Sequence, residues 1–512
     1  MERFMDSVFQ KRYSFLELLD NHHTMPQDEM IQELDITMPT LHSTAELIQS
    51  DFQSFEGEQM IRLIYHPKAR SYSLEVAEDF SLLLVRLYYY DQSLRFQLLG
   101  DLLSPAKKSI HALAETHHTT YSTVSRELKY LQPQLADLGL ALIIRGGVRL
   151  EGEELAIRIF YSSLYQHVYG AYKWPFAFPT QEQLTGLLEH IPVRIFRIDT
   201  LDKHVPTYFF TAISLLRAGK FNKGRAMPLY ESEEVSITRQ LNRVLGNYQH
   251  LISGLSEKEA RMEVQLLCSI LLANGSYEGI RRIPLFFINS AAMKNIDFYA
   301  QVASIVDRIN FYLIRELTES EYQLLLYKLS LTFYRIQLLG PILLSQPARW
   351  NLRELKENPI NGNRIKMIKY IARTEFPNFS LNYGPDYSEY LINQIYAAVF
   401  RTVDKNAYQM EINVFLFSIT STQRLENFLR NSLEGVFNLH FVIHEDAEID
   451  LIISDSPFSM DFFPFITEEP PLIYTKNLPD IADLEKISAA FSRASFQKYC
   501  QLKGLAINEI DG

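Results

Sequence analysis

The chain has 512 residues, of which 47% are hydrophobic and 22% are charged, and its formal net charge is −11. This composition is ordinary for globular proteins and supplies apolar material for several cores, and the length predicts roughly three to five domains. The acidic balance argues against a histone-like, non-specific nucleic-acid binder, so any DNA contact must come from a local basic surface.

Three features of the sequence predict a cytoplasmic protein. No apolar run approaches the ~20 residues that cross a bilayer, and the segment MERFMDSVFQKRYSF lacks a signal-peptide core. The two cysteines, Cys268 and Cys500, lie far apart, which fits a reducing compartment and leaves no cysteine-based zinc cluster. We therefore expect no membrane contact, no metal and no cofactor.

The first predicted domain, residues 1–78, has the order of a winged helix-turn-helix. Apolar residues at helical spacing predict a first helix, Pro26 opens a second, and a third would be the recognition helix. Residues 60–76 alternate like a β-hairpin and would form the wing. The apolar positions that define the first and third helices are Phe15, Leu18, Leu19, Leu41, Ala45 and Ile48.

The charge of this first domain leaves its role open. Between Lys11 and Asp51 there are two basic and eight acidic residues, so a helix-turn-helix used for protein packing remains an alternative to one that reads DNA. The candidate DNA contacts are Thr40, His42 and Ser43 on the recognition helix and Arg62 and Lys68 on the wing.

The second predicted domain, residues 79–158, repeats the layout. An apolar helix between Phe80 and Leu99 leads into it, and two more helices flank a polar turn. The strands Leu140–Ile144 and Val148–Leu150 then form a wing around a Gly-Gly turn. The two helices are predicted from Ile110, Leu113 and Ala114 and from Val124, Leu128, Leu131 and Leu135, with Thr119 or Thr120 as the cap of the second.

Charge distinguishes the second domain from the first. From Pro105 to Arg149 there are six basic and three acidic residues, which favours DNA binding over the alternative of an ordinary helical hairpin followed by a β-hairpin. We expect the helix Thr119–Leu131 to enter a major groove while basic residues before the first helix and on the wing hold the phosphate backbone. The candidate contacts are Lys107, Lys108, Thr119, Thr120, Tyr121, Ser122, Ser125, Arg126, Lys129, Arg145 and Arg149.

The remaining residues divide into a helical middle and an α/β end. Residues 159–285 and 286–404 are almost entirely helical in pattern and similar in length, which indicates a duplicated helical-bundle module, with one larger helical domain as the alternative. Residues 405–512 alternate strands and helices and predict a small α/β domain with a largely parallel sheet. The predicted fold is thus multidomain and mainly α.

This order of domains resembles the Mga-like transcriptional regulators, global regulators of virulence and metabolism in Gram-positive bacteria. The segments that carry the resemblance are KKSIHALAETHHTTYSTVSRELKYL with the wing GGVRLEG, and HVPTYFFTAISLLRAGKF in the middle. The resemblance implies that the two helical modules are phosphotransferase-system regulation domains, in which histidine phosphorylation modulates activity. It also implies that the last domain is similar to enzyme IIB and serves self-assembly.

The phosphorylation residues transfer only in part. His204 lies nearest the family's phosphoacceptor region, with a plain helix-start histidine as the alternative, although Phe209 stands where the imidazole is expected and Arg217 follows 13 residues on. No histidine occurs between His250 and His440, so the second module is not a histidine phosphoacceptor. The loop after the first strand of the α/β domain reads FSITS, without the phosphorylatable cysteine of enzyme IIB, which predicts an interaction domain rather than an enzyme.

The sequence therefore predicts a cytoplasmic, DNA-binding transcriptional regulator without enzymatic activity. Its expected partners are double-stranded DNA, further copies of itself in a dimer or larger assembly held by the α/β domain, and a phosphocarrier protein of the phosphotransferase system. Two alternatives remain open: a phosphoryl carrier or enzyme of that system, and an RNA-binding antiterminator.

Overall fold

The computed structural model describes residues 1–54, 60–189, 201–220, 244–252, 254–274, 296–339, 385–443, 448–466 and 469–505. These residues fall into two compact units. The first comprises residues 1–220 and 244–274, and the second comprises residues 296–339 and 385–505.

The first unit opens with three helices and a small antiparallel sheet, in the predicted order. Strand β3 lies in the middle of the sheet, paired on one side with β2 and on the other with β1, a strand that the sequence pattern did not predict. Five of the six predicted apolar positions are buried, and Leu18 is partly buried. The elements are α1 (Ser7–His22), β1 (Thr24–Pro26), α2 (Gln27–Leu34), α3 (Met38–Ser54), β2 (Ile61–His66) and β3 (Ser71–Val76).

The prediction of one apolar helix between Phe80 and Leu99 is wrong in one respect. The structure has two helices there, α4 (Leu82–Gln92) and α5 (Leu94–Leu102). Ser93 is extended, at φ −77° and ψ 120°, and its hydroxyl accepts a hydrogen bond from the Phe96 amide. A serine hydroxyl that bonds nearby backbone amides favours a helix start over a helix interior, which accounts for the break.

The second winged helix-turn-helix follows α5. Its helices are α6 (Ile110–Thr116) and α7 (Tyr121–Ala136), and its wing is formed by β4 (Ala141–Ile143) and β5 (Arg149–Glu151). Helix α7, which we call the recognition helix, continues five residues beyond the predicted end at Leu131. Its apolar ladder packs against α6, α5 and β4.

The remaining helices of the first unit pack against the end of this domain. Helix α8 begins directly after the wing and runs across the predicted boundary between residues 158 and 159, which therefore falls inside a continuous helix. It packs against α10, which also contacts α9 and α11. The helices are α8 (Glu154–Tyr169), α9 (Gln181–Leu188), α10 (Leu201–Leu216) and α11 (Glu257–Asn274), and residues 244–251 are also helical.

In the second unit, three helices within the described residues precede the α/β domain. The four strands are all parallel, in the order β7-β6-β8-β9, as the alternating pattern predicted. Cys500 lies within the last helix and is buried. The elements are α12 (Ile296–Tyr312), α13 (Glu319–Leu339), α14 (Pro385–Thr402), β6 (Ile412–Phe417), α15 (Thr422–Leu433), β7 (Leu439–Phe441), β8 (Leu451–Ser454), β9 (Leu472–Tyr474) and α16 (Ile481–Lys503).

The two faces of this parallel sheet are covered differently. Alternate residues of β6 (Ile412, Val414 and Leu416) join one core with residues from both α15 and α16. The opposite face carries Phe415 and Phe417, whose rings contact those of three further phenylalanines. These three are Phe458, Phe463 and Phe465, and we call the set of five the phenylalanine face.

In the part of the chain that the structure describes, no helix is long and apolar enough to span a membrane.

Candidate nucleic-acid interface

Each of the two helices in the second helix-turn-helix begins at a residue whose side chain caps it. The Ser109 hydroxyl accepts from the Ala112 amide at 3.0 Å and thereby begins α6. Of the two threonines predicted as caps, Thr120 is the one that begins the recognition helix, accepting from the Thr123 amide at 3.1 Å. Thr119 instead donates its amide to the Ala114 carbonyl in the turn. Both helix starts are thus fixed by local chemistry that satisfies otherwise unpaired amides.

The recognition helix turns a polar face to solvent. Four of its predicted contacts, Tyr121, Ser122, Arg126 and Lys129, are exposed, and Ser125 is partly buried. The Tyr121 ring lies 4.8 Å from the ring of His111 on α6, a neighbour that the sequence analysis did not single out. The buried ladder and this polar face together give the arrangement that places a helix in a major groove.

Half of the six predicted basic contacts of the second helix-turn-helix form ion pairs with carboxylates of the protein itself. Lys108 donates to Asp101 at 2.6 Å, Arg126 to Glu127 at 2.9 Å, and Arg149 to Glu151 at 2.6 Å. Among the described residues, no ion pair involves the other three, which are Lys107, Lys129 and Arg145. Arg145 stands in the exposed turn of the wing.

The segment before α6 is bonded directly to the wing. Lys108 and Val148 exchange two backbone hydrogen bonds, with N···O distances of 3.1 and 2.7 Å. Gly146 and Gly147 have φ of +74° and +109°, and a Cβ on Gly147 would lie 3.0 Å from the Lys107 Cβ. Glycine is therefore required at Gly147 both by conformation and by the close approach of Lys107. Lys107 and the wing consequently belong to one surface.

Asp101 is a residue of this site that sequence reasoning missed. It lies on α5, and its second carboxylate oxygen is 2.6 Å from Nε2 of His117, which stands in the turn of the helix-turn-helix. Asp101 thus ties the turn to the segment before α6, since its first oxygen accepts from Lys108. Nothing in the local sequence connects an aspartate with a histidine 16 residues away on another element.

The first helix-turn-helix places its predicted contacts less favourably. His42 is partly buried, with Nδ1 at 2.9 Å from the Tyr72 hydroxyl and Nε2 at 3.4 Å from Nε2 of Gln27. It therefore belongs to the packing between α3 and the sheet and would have to give up these bonds to reach a base. Thr40 and Ser43 bond within their own helix turn. Arg62 and Lys68 of the wing are exposed, and no ion pair is seen for them within the described residues.

His204 lies inside the first turn of α10 rather than before that helix. It is exposed, and its ring stacks on Tyr208 with 4.2 Å between centroids. Phe209, at the position where the family pattern places an imidazole, is buried. Arg217 is also buried, and it donates to both oxygens of Glu154 at 2.8 Å and to the Leu103 carbonyl at 2.6 Å. This arginine is fully occupied in the junction with the helix-turn-helix and is not presented beside His204.

The loop after β6 is filled by its own side chains. The Ser418 hydroxyl donates to Asp455 at 2.6 Å and accepts from the amides of Thr420 and Ser421. The pKa of Asp455 is lowered, because hydrogen bonds from Ser418, Ser456 and the loop outweigh the effect of burial. A carboxylate thus lies directly against the loop that follows β6. No three His, Cys, Asp or Glu side chains in the described ranges form a group that could hold a metal ion.

Comparison with known proteins identifies the region built around the recognition helix. Residues 78–165 match the family described as the Mga helix-turn-helix domain. The capsule synthesis positive regulator AcpB of Bacillus anthracis is 34% identical over 103 residues, which are 20% of this chain and 21% of that protein. The match thus spans about a fifth of the relative's length. The resemblance to Mga-like regulators is confirmed, and the residues that match the Mga helix-turn-helix domain are 78–165.

Proposed function

We propose that this protein is a DNA-binding transcriptional regulator whose main DNA contact is the second helix-turn-helix. The observation that carries the proposal is the match to the Mga helix-turn-helix domain at residues 78–165, in which an exposed polar helix face stands beside a wing that carries Arg145 and Arg149. The recognition helix would lie in the major groove, and Lys107, Arg145 and Arg149 would contact phosphates. Such a role places the protein with the chromosome, in the cytoplasm.

The side chains of the recognition helix favour readout of DNA shape over readout of base edges. Its exposed face offers hydroxyls from Ser122 and Tyr121 but a single arginine, Arg126, and no asparagine or glutamine among the predicted contacts. Bidentate contacts to guanine or adenine need arginine, asparagine or glutamine. Sequence preference would therefore come largely from how easily the DNA bends.

The test is a binding titration on a duplex selected by the protein from a random library. Arg126→Ala combined with Lys129→Ala should weaken binding at least about tenfold and make its salt dependence shallower, because two phosphate-directed charges are lost. The matched control is Lys486→Ala with Arg493→Ala, which removes two exposed charges from α16 in the other unit. Equal affinities and salt slopes for the two double variants would contradict the proposal.

The first helix-turn-helix is proposed as a secondary contact that extends the bound site. Arg62 and Lys68 on its wing are the cations available for phosphate, while Thr40 and Ser43 offer hydroxyls from α3.

The RNA-binding alternative is less favoured, because such a protein needs a small β-rich domain at this place and residues 1–54 contain three helices.

Regulation by the phosphotransferase system is proposed to act through His204. Its exposure and its position on α10 make it accessible to a phosphocarrier protein. Incubation with the general phosphocarriers and labelled phosphoenolpyruvate should label the protein, and His204→Ala should remove the label. Onward transfer of the label to a sugar would instead favour the alternative of a phosphoryl carrier or enzyme.

Self-association is proposed to run through the α/β domain, with the phenylalanine face covered by a second copy. Phe462, next to this face, is 82% exposed, and aromatic side chains of this kind are enriched at interface centres. Phe462→Asp should therefore shift the protein toward monomer in sedimentation, as should deletion of residues 405–512. Leu502→Asp on α16, at a side chain that is also exposed, is the matched control and should leave the assembly unchanged.

A further inference from the structure

A buried carboxylate lies on the recognition helix directly beside its exposed arginine. Glu127 is 7% exposed, and both of its oxygens are occupied. Oε1 accepts from Nε of Arg126 at 2.9 Å, and Oε2 accepts from Nε of Arg95 at 2.6 Å. A buried carboxylate is costly unless it is paired, and Arg95 supplies a buried partner for Glu127.

Arg95, on α5, is held on every side. It is 6% exposed, donates from Nη1 to the Met5 carbonyl at 2.9 Å, and donates from Nη2 to the Ser7 hydroxyl at 3.1 Å. Its guanidinium carbon lies 3.5 Å from the centre of the Tyr130 ring, also on the recognition helix. A planar guanidinium with these partners has one orientation, which fixes the direction of Glu127 as well.

The segment that Arg95 touches belongs to the first helix-turn-helix domain and is itself firmly seated. The Asp6 carboxylate accepts from the amides of Leu94 and Arg95 at 3.2 and 3.0 Å, so it caps α5. Phe4 is fully buried, and its ring packs edge-on against that of Phe160 on α8. The position of residues 4–7 is thereby coupled to the orientation of Arg95.

The far end of this chain of contacts is the exposed arginine. The side chain of Arg126 is 73% exposed, and within the described residues its two terminal amino groups have no hydrogen bond. Since Nε is fixed on Glu127, the amino groups are presented in one direction before any ligand arrives. An arginine ordered in advance loses less conformational entropy when it binds a phosphate or a base.

We propose that Arg95 is a positioning residue for DNA recognition: through Glu127 it orients Arg126, and through Met5 and Ser7 it makes that orientation depend on the first helix-turn-helix domain. The proposal rests on the proposed DNA-binding function. It assigns Arg95 no contact with DNA, because that residue is buried.

A double-mutant cycle tests the proposal on the same selected duplex. Arg95→Lys keeps the positive charge but cannot hold Glu127, Met5 and Ser7 together, so binding should weaken about fivefold in the otherwise unaltered protein. In an Arg126→Ala background the same substitution should cost less than about twofold, because its effect passes through Arg126. Glu127→Gln, which keeps the side chain's shape, should follow the same pattern.

The control is Arg86→Lys, at a partly buried arginine of α4 that donates to the His167 carbonyl at 3.0 Å. Its effect should be the same with and without Arg126→Ala. Additive losses for both Arg95→Lys and Glu127→Gln would overturn the positioning role while leaving the DNA-binding proposal intact. An unaltered protein that selects no duplex would instead overturn the proposed function itself.

Discussion

The junction between the second helix-turn-helix and the helices that follow it contains four charged residues, three of them buried and one, Glu154, partly buried. Arg158 on α8 is completely buried and donates to both oxygens of Glu263 on α11, at 2.5 and 2.9 Å. Glu154, one turn earlier on α8, accepts from Arg158 and from Arg217. Two guanidinium groups are therefore balanced by two carboxylates in a largely buried cluster.

Glu263→Gln removes one charge from this set and keeps its shape. Two guanidinium groups would then share the carboxylate of Glu154, and the Gly219 amide would lose a charged acceptor at 2.8 Å. Breaking one side of a buried ion pair costs about 3–5 kcal/mol, because the remaining charge is left uncompensated. With a urea dependence of about 2–3 kcal/mol per molar, the unfolding midpoint should fall by roughly 1–2.5 M.

Tryptophan fluorescence can follow this transition in the first unit alone. Trp174 packs against Phe176 and Phe209, and Trp350→Phe would leave it as the sole tryptophan. The matched control is Glu257→Gln on the same helix, whose partner Arg261 is exposed and whose loss should cost no more than about 0.5 kcal/mol. Equal midpoints for the two glutamine variants would refute the claim that the buried charges hold this junction.

Two further predictions concern the wing and a buried histidine. Gly147→Ala should weaken DNA binding more than Gly146→Ala, as measured by titration, because both have positive φ but only the first would press on Lys107. Burial, reinforced by the positive charge of Arg86, lowers the pKa of His167 to about 4, so the unfolded chain takes up a proton near pH 6.5 that the folded protein does not. Stability should therefore fall between pH 6.5 and 4 on this account, and urea unfolding of His167→Gln should lack that part of the decline.

The parts of the fold that sequence reasoning reached are those fixed by local chemistry. The recognition helix can be predicted from its apolar ladder and from its cap at Thr120. Both signals lie within the sixteen residues of the helix or directly before it. The parallel sheet follows from four short apolar runs, with one helix-forming segment between the first two and another after the last. Periodicity and capping act between near neighbours, so a single sequence is enough to detect them.

The parts that sequence reasoning missed depend on distant partners. Strand β1 exists because Met25 pairs with Tyr72, and the break at Ser93 is reinforced by the Asp6 carboxylate 87 residues earlier. His42 is a predicted DNA contact on the recognition helix of the first domain, but its partners Gln27 and Tyr72 come from two other elements. No local pattern announces contacts of this kind, since the chain brings them together only on folding.

The same distinction governs how the charge of the DNA-binding domain should be read. Counting residues from Pro105 to Arg149 gives six cations against three anions, yet Asp101, outside that range, pairs with Lys108. Three of the six cations already have carboxylate partners, so the domain gains less from phosphate than the count suggests. Those pairs hold side chains in place instead. The pair of Lys108 with Asp101 lies beside the turn, that of Arg149 with Glu151 lies on the wing, and that of Arg126 with Glu127 lies on the recognition helix. The acidic residues of this domain therefore weaken its electrostatic attraction for phosphate but fix the positions of its basic side chains. This fits the proposed recognition of a particular DNA shape better than binding to any phosphate backbone.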